Sequence, residues 1–274
     1  RFWRTPGTPP GGVGVHDVDS HTLLGGRIDV DAAVPARVWQ TRLDLSTRPY
    51  PGDHPVQGTE IVPAAVLLNT FLTAAGSDIA DVRLRTPVAP ARTRDVQVVL
   101  QDRALALASR IVGEDTTARD TAGRDTTDRD TTACDTTDRD TTACDDPGVW
   151  LTHCTARVAD DHVGAEGVLD EEAIRARCPQ PLPAGHVVDT LAGLGVAAMG
   201  FGWEVLELHR GEGELFARVA AEPDKSAPAT WAGLIDAATS TASTIFDGPP
   251  RLRMPARIER VHVRDKPPAI ALLH

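Results

Sequence analysis

Aromatic residues are scarce in this 274-residue chain, at 4% with a single tyrosine, and methionine occurs twice. With a hydrophobic share of 41%, a packed interior has to be built mostly from Val, Leu, Ile and Ala. No apolar run reaches the ~18 residues a bilayer-spanning helix needs, and the opening RFWRTPGTPPGG lacks the apolar stretch of a signal peptide. A soluble, cytoplasmic chain without a membrane partner is expected. Positive charge is in deficit: 28 Lys and Arg stand against 39 Asp and Glu, a formal net charge of -11. That balance argues against a broad phosphate-binding surface, and so against nucleic acid as a ligand. The four cysteines, Cys134, Cys144, Cys154 and Cys178, form no C-x-x-C pair and read as reduced thiols. His153, His162, His186, His209 and His262 have no companions at metal-ligand spacing, so they read as structural and no metal is expected. The first residue is Arg1 rather than Met, as expected of a segment of a longer polypeptide.

What is present has a clear order. Residues 1–20 are rich in Pro and Gly and read as a linker. A strand-like alternation follows, with Trp39, Thr41, Leu43 and Leu45 expected on one face and Gln40, Arg42 and Asp44 on the other. Pro63 then opens AAVLLNTFLTAAG, apolar on nearly every side, which predicts a helix surrounded by protein and stopped at Gly76. DVRLR, DVQVVLQD, ALALASRIV and VWLTHCTARVA read as strands. Between the last two, residues 115–146 repeat DTTxR or DTTxC units with almost no apolar side chains, which predicts a disordered insertion. A calcium-binding repeat is the rival reading there, but glycine-rich turns and hydrophobic anchors are missing and arginines offset many carboxylates. Residues 161–185 read as a linker carrying a short helix around Asp170 to Cys178. The pattern then restarts: VVDTLAGLGVA as a helix, GWEVLELHRG and GELFARVAAE as a hairpin, WAGLIDAATSTASTIF as a second buried helix, and RIERVHVRD and AIALLH as strands.

Strands, one enclosed helix and more antiparallel strands, given twice, predict an α+β double hotdog with halves at 21–160 and 186–274 and a site between them. Two stretches carry chemistry. HPVQGTEIVP places His54 on a loop before the first buried helix, with Gly58 free to bring backbone close to a substrate and Pro63 setting φ at the helix start. In GLIDAATS, Asp236 lies inside an apolar helical run, where a carboxyl must find a donor or take a raised pKa, the property a proton donor at neutral pH requires. Each residue also has a plainer reading, His54 as a helix cap or surface residue and Asp236 as a carboxylate paired with an arginine.

The spacing of His54, Gly58 and Pro63, H-x-x-x-G-x-x-x-x-P, resembles the active-site signature of the dehydratase domains of polyketide and fatty-acid synthases, and LIDA resembles the LLDA of their second motif. GTEIVPAAVLLNTFLTAAG with LIDAATSTASTIF is similar to the iterative aromatic synthases of the 6-methylsalicylic acid type. The resemblance implies His54 as general base and Asp236 as general acid. They would act on a β-hydroxyacyl thioester carried by the phosphopantetheine of an acyl carrier protein, with no cofactor of the domain's own. It further implies the other domains of a synthase as partners and a homodimer formed through the synthase.

MGFGW stands where these domains carry a Y-G-P-x-F-like segment, so the tyrosine is Met199 and the proline is Phe201, while the Gln or His four residues after the aspartate is Ser240. Those positions normally orient the hydroxyl and the carboxylate, and with Gly58, Pro63 and Gly200 they complete the expected substrate-binding set. Gly200 and Gly202 suit a tight turn or substrate clearance, since no Rossmann strand precedes them. Two rival functions follow: a thioester hydrolase using the same His/Asp pair to release product, and a non-catalytic domain kept for packing or dimerisation. Ser240 as a nucleophile lacks the G-x-S-x-G elbow.

Overall fold

Two enclosed helices organise the chain, the first with almost no polar face, and each lies against its own antiparallel sheet. The computed structural model describes residues 14–113, 148–160, 170–221, 230–263 and 266–274. The expected insertion at 115–146, Cys134, Cys144, His162 and most of the 1–20 segment lie outside the described residues.

The first half runs β1 (Gly26–Val30), β2 (Ala36–Leu43), the short β3 (Pro55–Val56) and β4 (Thr59–Glu60), α1 (Ala64–Ala75), β5 (Ile79–Leu84), β6 (Arg94–Gln101), β7 (Ala104–Ile111) and β8 (Leu151–Val158). Then come α2 (Glu171–Arg177), β9 (Gln180–Pro181), α3 (His186–Gly193), β10 (Trp203–Arg210), β11 (Leu215–Ala221), α4 (Ala232–Ala242), β12 (Arg257–Val261) and β13 (Ile270–Leu273). The larger sheet has the order β1-β2-β6-β7-β8-β5-β12 and the smaller β13-β11-β10-β9. All named pairings are antiparallel, and the architecture is the double hotdog.

Pro63 stands at the N-cap of α1 with φ -55, and Gly76 closes the helix at φ 67, its N–H donating to the Leu72 carbonyl at 2.9 Å. That left-handed conformation is one a glycine adopts without a Cβ penalty. The helix buries nine of its twelve residues, including Val66, Leu68 and Phe71, against Val82, Val96, Val98, Leu105 and Leu107 of the larger sheet. The core is aliphatic, as the shortage of aromatics requires. α4 buries Leu234 and Ala237 against Val205, Leu208, Leu215 and Val219. The two helices pack on each other, which brings the halves together.

Three sequence expectations need correction. β2 ends at Leu43, and Leu45 is 51% exposed rather than on the buried face. The Asp44 carboxylate accepts from Ser46 N–H at 2.8 Å and Thr47 N–H at 3.1 Å, so the chain turns there instead of extending. β12, expected in the second half, pairs with β5 of the larger sheet, and its Ile258 and Val261 pack on the first core. β9, inside the expected 161–185 linker, pairs with β10 of the smaller sheet.

Candidate active site

The chain reaches His54 after β2 and then folds back through a two-residue hairpin. Gln57 and Gly58 both have positive φ, 49 and 80, the geometry that joins β3 to β4 with matching twist. A Cβ at Gly58 would meet nothing within 4 Å, so the glycine serves the turn and not substrate clearance. The hairpin returns Ile61 to His54: Ile61 N–H donates to the His54 carbonyl at 3.2 Å, and His54 Nδ1 lies 3.0 Å from the Ile61 carbonyl. A carbonyl only accepts, so Nδ1 carries a hydrogen, and Nε2 is the nitrogen left to exchange a proton.

Below the loop, Glu60 is the anchor. Its carboxylate oxygens accept from His54 N–H at 3.0 Å each, from the Tyr50 hydroxyl at 2.9 Å and from Arg48 at 3.3 Å. Burial, and then Glu60 itself, push the Tyr50 phenol far above its usual range, so it stays a neutral donor. Glu60 and Tyr50 were not among the residues singled out by sequence, although the only tyrosine in so aromatic-poor a chain is a usable signal.

Asp236 comes from the opposite half. Over Ala232–Ala242 it is the one ionisable residue, and it is 4% exposed. Trp203, at the start of β10, donates from Nε1 to Asp236 Oδ2 at 3.0 Å. Burial raises the Asp236 pKa, while the indole bond and the charge of His54 pull it down. This carries a stability consequence. Because the folded-state pKa lies above the ordinary 3.8, stability is fully present below about pH 4 and is lost as pH rises through the folded pKa. Asp236→Asn removes that loss, so urea unfolding across about pH 4 to 8 is expected to show the variant gaining on the parent as pH rises. A constant difference would count against a buried, proton-holding carboxyl.

His54 and Asp236 line the same cavity, together with Met199, Thr239, Ser240 and Ser243. Ser240 lies one turn beyond Asp236 on α4 and therefore on the same face, with its hydroxyl 3.9 Å from Met199 Sδ. Ala64, the first residue of α1, and the 252–255 segment also line it, and Val56, Ile61, Val62, Leu191 and Val196 give it an apolar wall.

The remaining expected residues stand behind this lining. A Cβ on Gly200 would lie 2.5 Å from Pro63 Cγ and 3.5 Å from His54 Cβ, so only glycine lets the 199–203 segment press against the His54 loop. The Gly200 carbonyl accepts from Gly52 N–H at 3.0 Å. Phe201 is buried in the first core, with its ring edge-on to His21 at 5.1 Å. Met199 and Ser240 are thus at the cavity, Pro63 and Gly200 shape it from behind, and Phe201 and Gly58 do not line it. Trp203, Thr239, Ser243 and the 252–255 segment were missed by sequence reasoning. Thr239 and Ser243 could have been found from Asp236 by helical spacing.

Three of the histidines read as structural have local partners. His153 lies 2.7 Å from the Ser109 hydroxyl and 2.9 Å from the Thr86 carbonyl, His209 lies 2.9 Å from Glu207, and His262 bonds to Asp78.

Comparison with known proteins points the same way. The polyketide synthase dehydratase domain family profile matches residues 21–112. The 6-methylsalicylic acid synthase of Penicillium patulum is 40% identical over 284 residues, covering 100% of this chain and 14% of that protein. The 5-methyl-1-naphthoate synthase of Streptomyces sahachiroi is 35% identical over 257 residues, covering 89% of this chain and 13% of that protein. The chain therefore spans about a seventh of the length of these relatives. Among solved structures, the dehydratase domain from the CurF module of curacin polyketide synthase superposes with a TM-score of 0.63 at 14% identity, covering 88% of this chain and 82% of that chain.

Proposed function

The chain belongs to the polyketide synthase dehydratase domains, with relatives among the 6-methylsalicylic acid synthases, and from that premise we propose that it removes water from a β-hydroxyacyl thioester. The observation that carries this reading is the shared cavity: an imidazole from one half and a buried carboxyl from the other face one space. Such an elimination needs a base at the α-carbon and an acid at the β-hydroxyl, approaching from different directions.

His54 Nε2 takes the α-proton, its tautomer set by the Ile61 carbonyl. The electrons of the broken C–H bond form the double bond, and the C–O bond breaks as Asp236 gives its proton to the departing hydroxyl. Burial supports that role by favouring the protonated acid. The thioester carbonyl is polarised at the start of α1. There Ala64 lines the cavity and no side chain caps the first-turn N–H groups. Gly58, expected to bring backbone close to the substrate, sits at the hairpin turn and does not line the cavity. The substrate is delivered on the phosphopantetheine of an acyl carrier protein, so the domain brings no cofactor of its own. The neighbouring domains of the synthase are its partners, and it dimerises through that assembly.

Incubation of the domain with a β-hydroxyacyl carrier thioester and, separately, with an aromatic carrier thioester tests the reading. Enoyl thioester from the first and no change in the second is the expected result. Free acid from either would instead favour thioester hydrolysis.

A further inference from the structure

Among the described residues, the Asp236 carboxyl accepts one side-chain hydrogen bond, from Trp203 Nε1–H to Oδ2 at 3.0 Å. Thr239 and Ser240, the next cavity-lining residues along α4, do not supply a second: the Thr239 hydroxyl donates to the Ile235 carbonyl at 2.9 Å and the Asp236 backbone carbonyl at 3.2 Å, and the Ser240 hydroxyl is directed at Met199 Sδ. Trp203 is not a loose neighbour: its ring packs against both hydrophobic cores, so its N–H is held by the body of the protein. It ends the MGFGW segment, whose Met199 lines the same cavity as Asp236.

Resting on the dehydratase reading, we propose that Trp203 is a positioning residue that selects which oxygen of Asp236 delivers the proton. An indole N–H can only donate, so Oδ2 must accept, and the neutral carboxyl keeps its hydrogen on Oδ1. In the reaction that hydrogen passes from Oδ1 to the β-hydroxyl oxygen, and the C–O electron pair leaves with the water. The carboxylate left behind is more basic than the acid it came from, so the Trp203 bond strengthens as charge develops and lowers the barrier to proton release. The indole also offsets part of the rise in pKa caused by burial, which keeps the acid able to part with its proton. Met199 and Ser240 face each other rather than the Asp236 carboxyl, which leaves this task to Trp203.

Two replacements test the proposal: Trp203→Phe, and a tryptophan analogue at 203 with sulfur in place of the indole N–H, which keeps shape and packing. Either is expected to lower kcat about tenfold with KM within about twofold, as loss of one charge-assisted hydrogen bond would. Activity needs protonated Asp236 and falls as pH rises through its pKa. Losing the donor raises that pKa, so the basic limb of the kcat profile should move up by about one pH unit. Infrared titration of the isotope-labelled Asp236 carboxyl should show the same shift without turnover. An unmoved limb and titration, or a rise in KM at constant kcat, would overturn the proposal. Absence of enoyl product from the parent domain would instead refute the dehydratase reading, and the infrared titration would still decide whether Trp203 sets Asp236.

Discussion

Replacing His54 with alanine is expected to lower enoyl formation by about a thousandfold, within the range lost when a positioned general base is removed. The fold should survive. The His54 ring is only partly buried, and its single ring hydrogen bond goes to the Ile61 carbonyl, a group at the cavity edge rather than in either core. The backbone contacts that hold the loop, Ile61 N–H to the His54 carbonyl and His54 N–H to Glu60, do not involve the imidazole. The effect should therefore appear in mass-spectrometric detection of product while the circular dichroism spectrum and urea midpoint stay near those of the parent. Retention of more than about a tenth of the activity would remove His54 from the role of base.

Gly200→Ala should be the second most damaging change, although it adds one methyl group. The new carbon would lie 2.5 Å from Pro63 Cγ, and a proline ring at a helix N-cap cannot rotate away as a flexible side chain could. Relief requires the 199–203 segment or the start of α1 to move. The first carries Met199 and Trp203 and the second carries Ala64, so either displacement disturbs the cavity. A loss of about 1–3 kcal/mol in urea unfolding is expected from overpacking, together with a drop in kcat/KM of about ten- to a hundredfold from misplaced groups. Gly58→Ala makes the useful contrast. It meets open space but sits at φ 80, so it should cost about 1–2 kcal/mol for a left-handed non-glycine residue and leave turnover nearly intact. Equal loss of turnover in both variants would show that hairpin geometry, not the packing at Gly200, limits the site.

Much of the architecture was legible because periodicity reports burial. The apolar run after Pro63 has no polar face, and α1 is accordingly enclosed. β6 and β7 alternate buried and partly exposed residues along most of their length, as DVQVVLQ and ALALASRI suggest. Asp236 could be singled out for the same reason, as a lone carboxyl in a helix that otherwise reads as core. What periodicity cannot carry is which edge a late strand joins. The residues of β12 suit either sheet, and its pairing with β5 is decided by an edge that exists only once the larger sheet has formed.

Turns were also hard to read. The β6–β7 hairpin uses Asp102 and Arg103 at φ 45 and 62, with no glycine to announce it. At Leu45 an alternating pattern continued past the real end of the strand because the Asp44 turn chemistry was stronger. The roles of the supporting residues of the site, Glu60, Tyr50 and Trp203, were hard to read for a related reason. Each acts on a partner distant in sequence or across a loop, and nothing in local spacing links an indole on β10 to a carboxyl on α4.

Elimination and its reverse share one transition state, so the same two groups must also catalyse hydration. Incubating the parent domain with an enoyl thioester in deuterated water is therefore the most direct measurement. The expected product is the β-hydroxyacyl thioester, with one deuterium delivered to the α-carbon by way of His54 and none incorporated when His54 is alanine. Release of free acid with the double bond intact, or deuterium uptake that persists in the His54→Ala protein, would contradict a base and an acid working across this cavity.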